Sequence, residues 1–404
     1  MTSSTHPVIR SAAAAALVLV YGAAGGQPAS TTPETSNTLE RAPPSSSQHD
    51  LRSKFLDRED GQLDLGDFLA KPRRFLPVPI IVTEPAVGYG GGGVALFLRP
   101  REEAGKEGWS RPNMSVVGGL ATRNGTWAAF AGDSSRWMEG RLRTLAGGGA
   151  GQVNLDFYGV TDERSSLDVK TRYSLRFTGA LMQANWKIAA DSAWSVGVRY
   201  VYASVDPRLR DDPTTLAVAR PGRVEISAPT AVLEYDSRDN VFTPTRGIYA
   251  ETSLLASREA FGASVDFTRF EQLVLAWHPL PRDVTLGVRG NFAGSSSGTP
   301  FFLRPYIDLR GVPVMRYQGD RVGAVELEGR WQFHGRWSAV GFAGTGLAKT
   351  QRNAFSATQT VGSGGVGFRY ELARSFGLHA GIDVAHSPGT TAVYLQIGNA
   401  WFRP

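Results

Sequence analysis

The chain has 404 residues, no cysteine and a formal charge of +6 at pH 7, with 43 Lys and Arg against 37 Asp and Glu. Without cysteine there is neither a disulfide framework nor thiol chemistry. The basic residues are almost all arginine and are scattered among acids, which argues against the contiguous stripe of a nucleic-acid binder.

In chain order, residues 1–26 read as a cleaved secretory signal peptide. Arg10 supplies the positive start, Ser11 to Tyr21 the apolar run, and Ala23, Ala24, Gly25 and Gly26 the small residues at the cut. Residues 27–74 form an N-terminal periplasmic segment. Its first part, 27–50, is rich in Ser, Thr and Pro and is expected to be disordered. Residues 51–74 are mixed and suggest one helical turn or a plug-like strap. No later run approaches the length of a transmembrane helix.

Residues 75–404 are turns and short alternating runs, the pattern of an all-β barrel or sandwich. The alternation is cleanest near the C-terminus. Val284, Leu286, Val288 and Phe292 interleave with Thr285, Arg289 and Asn291. Val325, Leu327, Trp331 and Phe333 interleave with Glu326, Glu328, Arg330 and Gln332. Val366, Phe368, Tyr370 and Leu372 alternate with Arg369 and Glu371, and Leu378, Ile382 and Val384 with His379 and Asp383. Val393, Leu395, Ile397 and Trp401 are read as the lipid face of the closing strand. One face suits lipid and the other water, as in a membrane-spanning strand, although a soluble sandwich strand alternates too.

The connections separate the two. Those at 206–223, 294–320 and 349–361 are long, whereas 278–283, 334–336 and 373–376 are short, as when one barrel end faces the medium and the other a confined periplasm. Counting back from a periplasmic C-terminus gives sixteen antiparallel, up-and-down strands beginning at 87–98. Asn124-Gly125 makes a hairpin turn, and Gly147 to Gly151 acts as a turn that splits 137–160. Fourteen strands is the alternative if that glycine stretch is a bulge. Trp109, Trp137, Trp194 and Trp401 fall near strand ends, where an interfacial girdle would sit.

Two motifs then stand out. Asp236-Ser237-Arg238-Asp239-Asn240, followed by Pro244 and Gly247, is a turn in which short polar side chains bond nearby backbone N–H groups. Leu309-Arg310-Gly311 sits in the longest loop. With the ending Gly398, Trp401 and Phe402, read as a C-terminal strand signal, these segments resemble the BamA/TamA family of outer-membrane proteins, also called bacterial surface antigens. The resemblance covers roughly residues 75–404. It implies that the loop folds into the lumen, where Arg310 bonds acids on the inner wall. Glu326, Glu328, Glu371 and Asp383 fall on the expected lumen faces. Val312 departs from the family's aromatic after Arg-Gly.

The resemblance further implies residence in the outer membrane, among its lipids and lipopolysaccharide, and insertion there by the barrel assembly machinery. It also implies a minimal translocation or insertion role toward an unidentified client protein. Family members with that role carry POTRA modules, and residues 27–74 leave no room for a complete one with its own core. A passive solute channel or structural barrel is therefore the alternative. No cofactor, metal site or enzymatic activity is expected. Gly294-Ser295-Ser296-Ser297-Gly298 only formally matches a nucleophile elbow. Gly88 to Gly93 matches a dinucleotide motif but opens no helix. The acids of 57–64 hint at calcium, with the glycine and closing Glu misplaced, and read better as a solvated turn.

Overall fold

The computed structural model describes residues 55–57, 59–69, 75–82, 87–99, 112–158, 170–210, 222–352 and 355–402. The expected signal peptide, the Ser/Thr/Pro-rich lead and Trp109 lie outside these described residues.

Sixteen antiparallel strands form one sheet in chain order. They are β1 (Leu76–Val82), β2 (Gly90–Arg99), β3 (Asn113–Thr122), β4 (Trp127–Trp137), β5 (Leu142–Tyr158), β6 (Lys170–Lys187), β7 (Trp194–Leu209) and β8 (Val224–Asp236). The second half holds β9 (Gly247–Ser257), β10 (Phe267–Leu280), β11 (Val284–Ser295), β12 (Arg321–His334), β13 (Trp337–Arg352), β14 (Phe355–Ala373), β15 (Leu378–Ser387) and β16 (Thr390–Ile397). The sheet curls into a nearly closed barrel, and no ladder joins β1 to β16 among the described residues. These two edges form a seam.

Register fixes which side chains face inward. Arg289 pairs with Glu326, Glu326 with Gly344, and Gly367 with Asp383, so these positions share the lumen face. Outward, Val198, Val288, Val325, Leu327, Val366 and Phe368 are exposed apolar residues, suited to lipid. Trp137 and Trp194 are also exposed at strand ends.

The strand count agrees with the sixteen expected, but two of its parts differ. Gly147 to Gly151 is no turn, and β5 runs straight through it. A Cβ at Gly149 would lie 3.1 Å from Phe130 Cβ, and one at Gly151 only 2.7 Å from the Phe177 ring. Gly149 therefore leaves room for the close β4 backbone at Ala129 and Phe130, and Gly151 for the Phe177 ring. The missing strand is β1, Leu-Pro-Val-Pro-Ile-Ile-Val, whose Pro77 and Pro79 argue against a central strand but are compatible with an edge. The long loop expected at 349–361 is also absent. Lys349 pairs with Thr358 and Arg352 with Phe355, so the hairpin wall simply continues. Its Ser, Thr and Gln content resembles a loop, yet the ladder continues through it.

The barrel has two unlike ends. The turn end carries the connections at 237–246, 281–283, 335–336 and 374–377, together with the C-terminus. The opposite, loop end carries the 296–320 loop.

The lumen wall is chemically divided. From β1 to β10 it presents Val82, Val153, Leu175, Phe177, Val205, Ile226, Leu255 and Phe267, and Phe302, Val314 and Met315 of the 296–320 loop pack against them. At about 25 cal/mol per Å² of apolar surface, such burial is a large favourable term. Nearer the turn end the same strands place Arg143, Arg199, Glu234 and Glu251 inward. The wall from β11 to β16 carries most of the remaining buried charge.

Candidate functional site

The loop between β11 and β12 dips into the lumen with Arg310 at its deepest point, fully buried. Its Nε donates to Glu326 at 3.0 Å, and its Nη2 pairs with the same carboxylate at 2.9 Å. Nη1 lies 2.7 Å from Glu328 and 3.0 Å from Asp383. The guanidinium sits 3.5 Å above the Phe342 ring, so one face is stacked while the edge is bonded. Burial alone would lower its pKa, but Glu328, Glu326 and Asp383 outweigh that and raise it, which fixes the positive charge.

The acids are held in turn. Arg369 binds Asp383 through two nitrogens, at 2.6 and 2.9 Å. Trp401 Nε1 donates at 2.6 Å to the Glu326 oxygen that also accepts Arg310 Nε. Glu371 lies apart. It pairs with His379, whereas Asp383 pairs with Gly367. That places Glu371 about 13 Å farther along the same strand, toward the turn end. The structure thus brings Glu326, Glu328 and Asp383 to Arg310 and leaves Glu371 beside Arg336 and Arg374.

Gly311 is fixed by both conformation and space. Its φ is +88°, and a Cβ there would approach Ala385 Cβ to 3.1 Å. Its N–H donates to Tyr394 at 2.7 Å and its carbonyl accepts from Ser387 at 2.7 Å, so β15 and β16 both hold the loop tip. Val312, where the family has an aromatic, is buried among Ile307, Leu309, Val322 and Ala348.

The C-terminal residues differ from the reading of them as a strand and a lipid-facing girdle. The closing strand stops at Ile397, and Gly398, at φ +77°, turns the chain inward. Trp401 is buried against Trp277, with centroids 6.0 Å apart, and Phe402 stacks on Phe242 at 5.6 Å. Asn399 fixes this bend by donating at 2.8 Å to the Phe242 carbonyl and accepting from Trp401 N–H at 2.8 Å.

Phe242 belongs to the 237–246 turn, which is more than a simple hairpin. Asp239 accepts from the N–H groups of Asn240 at 2.9 Å and Thr245 at 3.0 Å, while Asn240 accepts from Phe242 N–H at 2.7 Å. Arg238 binds both oxygens of Asp236 at 2.9 Å and lies 4.5 Å over the Tyr249 ring. The Pro244 carbonyl accepts from Arg330 at 3.2 Å, and Gly247 leaves the turn at φ +105°. Val241 and Phe242 are buried with Leu76, Phe376 and Leu378, so the turn folds across the barrel mouth to the opposite wall.

Sequence reasoning missed two further ionic groups. On β5 to β9, Arg143 pairs with Glu234, and Arg199 with Glu251 at 2.7 Å, with Tyr249 OH bonded to both acids at 3.2 and 3.0 Å. Lumen-face parity was the signal that would have found them. The acidic segment 57–64 is not simply solvated either. Asp57, Asp60 and Asp64 surround the buried guanidinium of Arg336, the last two at 2.7 Å, while Arg374 bonds Glu59 at 2.9 Å and Asp60 at 3.0 Å. A protein cation occupies the place that the acids suggested for calcium. The strap ends in one helical turn, α1 (Gly66–Leu69), whose Leu69 is buried.

Residues 141–385 match the family model of the Omp85 superfamily domain. The chain belongs to the Omp85 superfamily. Members of this superfamily are outer-membrane barrels engaged in insertion and translocation. Among solved structures, the Omp85 barrel is similar to BamA from Haemophilus ducreyi lacking POTRA domains 1–3, at 10% identity and TM-score 0.50, covering 80% of this chain and 68% of that one. It is similar to CdiB from Escherichia coli at 12% identity and TM-score 0.57, covering 80% of this chain and 61% of the other. CdiB from Acinetobacter baumannii gives 11% and 0.52, with 80% and 59% covered. The Omp85 chain thus spans about three fifths of the length of the two CdiB chains. No curated protein matches it. At such identities the likeness is one of fold.

Proposed function

We propose that this Omp85 barrel is a minimal translocation or insertion device of the outer membrane. In this reading it is exported with a cleaved leader, its turn end faces the periplasm, and it acts on a client polypeptide by parting at the β1–β16 seam. The observation that carries the reading is the seam itself, two strand edges with no ladder between them among the described residues. An unpaired edge is costly in lipid and is a template for an incoming strand. Pro77 and Pro79 weaken β1 as a permanent partner, since neither has an N–H to donate.

Arg310 is the lock in this proposal. It joins the loop to β12 and β15, and Gly311 extends the connection to β16, so the lumen filling and one seam edge are mechanically coupled. The filled lumen also weighs against a standing solute channel. The test is single-channel conductance of the refolded barrel in a planar bilayer, comparing wild type with Arg310→Ala. A nearly closed wild type and an open or flickering variant are expected. A steady open pore, unchanged by the substitution, would overturn the lock. A second arm installs cysteine pairs across β1 and β16 in this cysteine-free chain. Full function of the cross-linked barrel in cells would overturn seam opening.

A further inference from the structure

The outer wall of β4 to β8 carries a feature that neither the lumen lock nor the seam uses. On the outward face of β7, Trp194, Val196, Val198, Tyr200 and Tyr202 follow one another as exposed residues. At about 3.3 Å per residue this run extends about 26 Å along a tilted strand, close to the height of a lipid-facing band with aromatic ends. Directly beyond Tyr202, toward the loop end, the same face changes to Ser204, Asp206 and Arg208. Cross-strand pairing sets Arg176 of β6 beside Asp206, and Gln152 of β5 beside Arg176. Trp127 pairs with Gln152 and supplies the aromatic on the far side.

These residues line an open cleft of about 500 Å³ that also includes Arg223. Its electrostatics are uneven. Arg208 pairs with Asp206 at 2.7 Å and Arg223 approaches Glu225 at 3.8 Å, yet their side chains remain 61% and 70% exposed. Arg176 is held instead by neutral Gln152, its Nε donating at 2.9 Å, and among the described residues no carboxylate pairs with it. Glu225 is further occupied by Ser204 at 2.8 Å and Tyr202 at 3.1 Å. The cleft therefore presents three guanidiniums against the carboxylates of Asp206 and Glu225, with Arg176 bonded to an amide and to no carboxylate among the described residues. A fork of this kind matches phosphate oxygens.

We propose that this cleft binds the phosphate group of an outer-leaflet lipid, the phosphorylated anchor of lipopolysaccharide. Trp127, Tyr200 and Tyr202 mark the level of the headgroups, and the apolar residues below them lie along the acyl chains. Arg176 and Arg208 grip the phosphate, and Gln152 is a positioning residue for Arg176.

The full-length barrel, purified in neutral detergent, is titrated by native mass spectrometry with three probes: bis-phosphorylated lipid A, the same lipid with its phosphates removed, and inorganic phosphate. The phosphorylated lipid should bind best. Arg176→Gln with Arg208→Gln should weaken it about tenfold, whereas Arg282→Gln at the opposite end should not. A heat-modifiable gel shift checks that each variant is folded. If the double variant fails to fold, Arg176→Lys keeps the charge without the fork and should still lose affinity severalfold. Equal binding of the dephosphorylated lipid, or unchanged affinity in folded variants, would overturn the proposal. Inorganic phosphate binding as tightly, with the same arginine dependence, would make this a free-anion site and overturn the lipid assignment.

Discussion

Arg336, in the turn between β12 and β13, donates at 2.7 Å to Asp64, a residue 272 positions earlier in the chain. The contact ties the strap to the C-terminal side of the seam, while the strap's other end continues toward β1 on the N-terminal side. Leu69 and Phe68 reinforce the bridge by packing with Leu76 and Val78 from one side and Phe376 and Leu378 from the other. Arg336→Ala would remove the buried cation that Asp57, Asp60 and Asp64 share and leave them only the more exposed Arg374 among the described residues. The strap should then open more often, because the remaining carboxylates repel one another. Limited proteolysis within 55–75 should then accelerate at least about tenfold, and an unchanged cleavage rate would show that the strap is held by other contacts.

The same clasp should respond to acid. The Asp60 pKa lies below its ordinary 3.8, chiefly because Arg336 and then the Gln62 N–H bond the charged form. A carboxyl whose folded pKa is depressed contributes stability that is fully present above its unfolded pKa and is lost as pH falls through the folded value. Strap protection in hydrogen exchange should therefore be flat from neutral pH down to about 4 and drop below that. Loss of protection between pH 7 and 5 would point to a different group.

Gly311→Ala tests the loop tip without touching a charge. The substitution forces a side chain into φ +88° and against Ala385, at a cost of about 2 kcal/mol. The barrel should remain folded but unfold at lower temperature in the heat-modifiability assay, and its conductance should shift toward that of Arg310→Ala. Wild-type behaviour in both assays would mean that the tip has room the contacts do not suggest.

Trp401 joins two functions, packing against Trp277 and donating to Glu326. Trp401→Phe removes the donor and keeps most of the ring, so it should cost about 1–2 kcal/mol. Trp401→Ala adds a cavity and should cost roughly 3–5 kcal/mol. Urea unfolding midpoints in lipid would separate the two. Identical midpoints for wild type and Trp401→Ala would place this tail outside the cooperative core.

Much of the barrel was legible because the period-2 pattern repeats wherever one face meets lipid. The lumen placement of Glu326, Glu328 and Asp383 follows from that parity alone. What escaped had specific causes. Gly149 and Gly151 resemble a turn in one dimension, and only the close β4 backbone and the Phe177 ring explain them as strand. Pro77 and Pro79 disguise β1, because an edge tolerates what a central strand does not. Trp401 keeps the alternating phase of Val393, Leu395 and Ile397, so one backbone reversal at Gly398 is invisible to periodicity. The clasp on Arg336 joins segments more than 270 residues apart, beyond any local signal.

The 296–320 loop stands on two feet of opposite chemistry. Phe302, Val314 and Met315 stand in oil, and Arg310 stands in charge. Solvents that weaken one foot leave the other planted. Arg310→Ala would remove the charged foot without touching the apolar foothold, and a mild chaotrope would weaken the apolar foot first. Under either stress the loop should pivot about its remaining anchor instead of leaving the barrel.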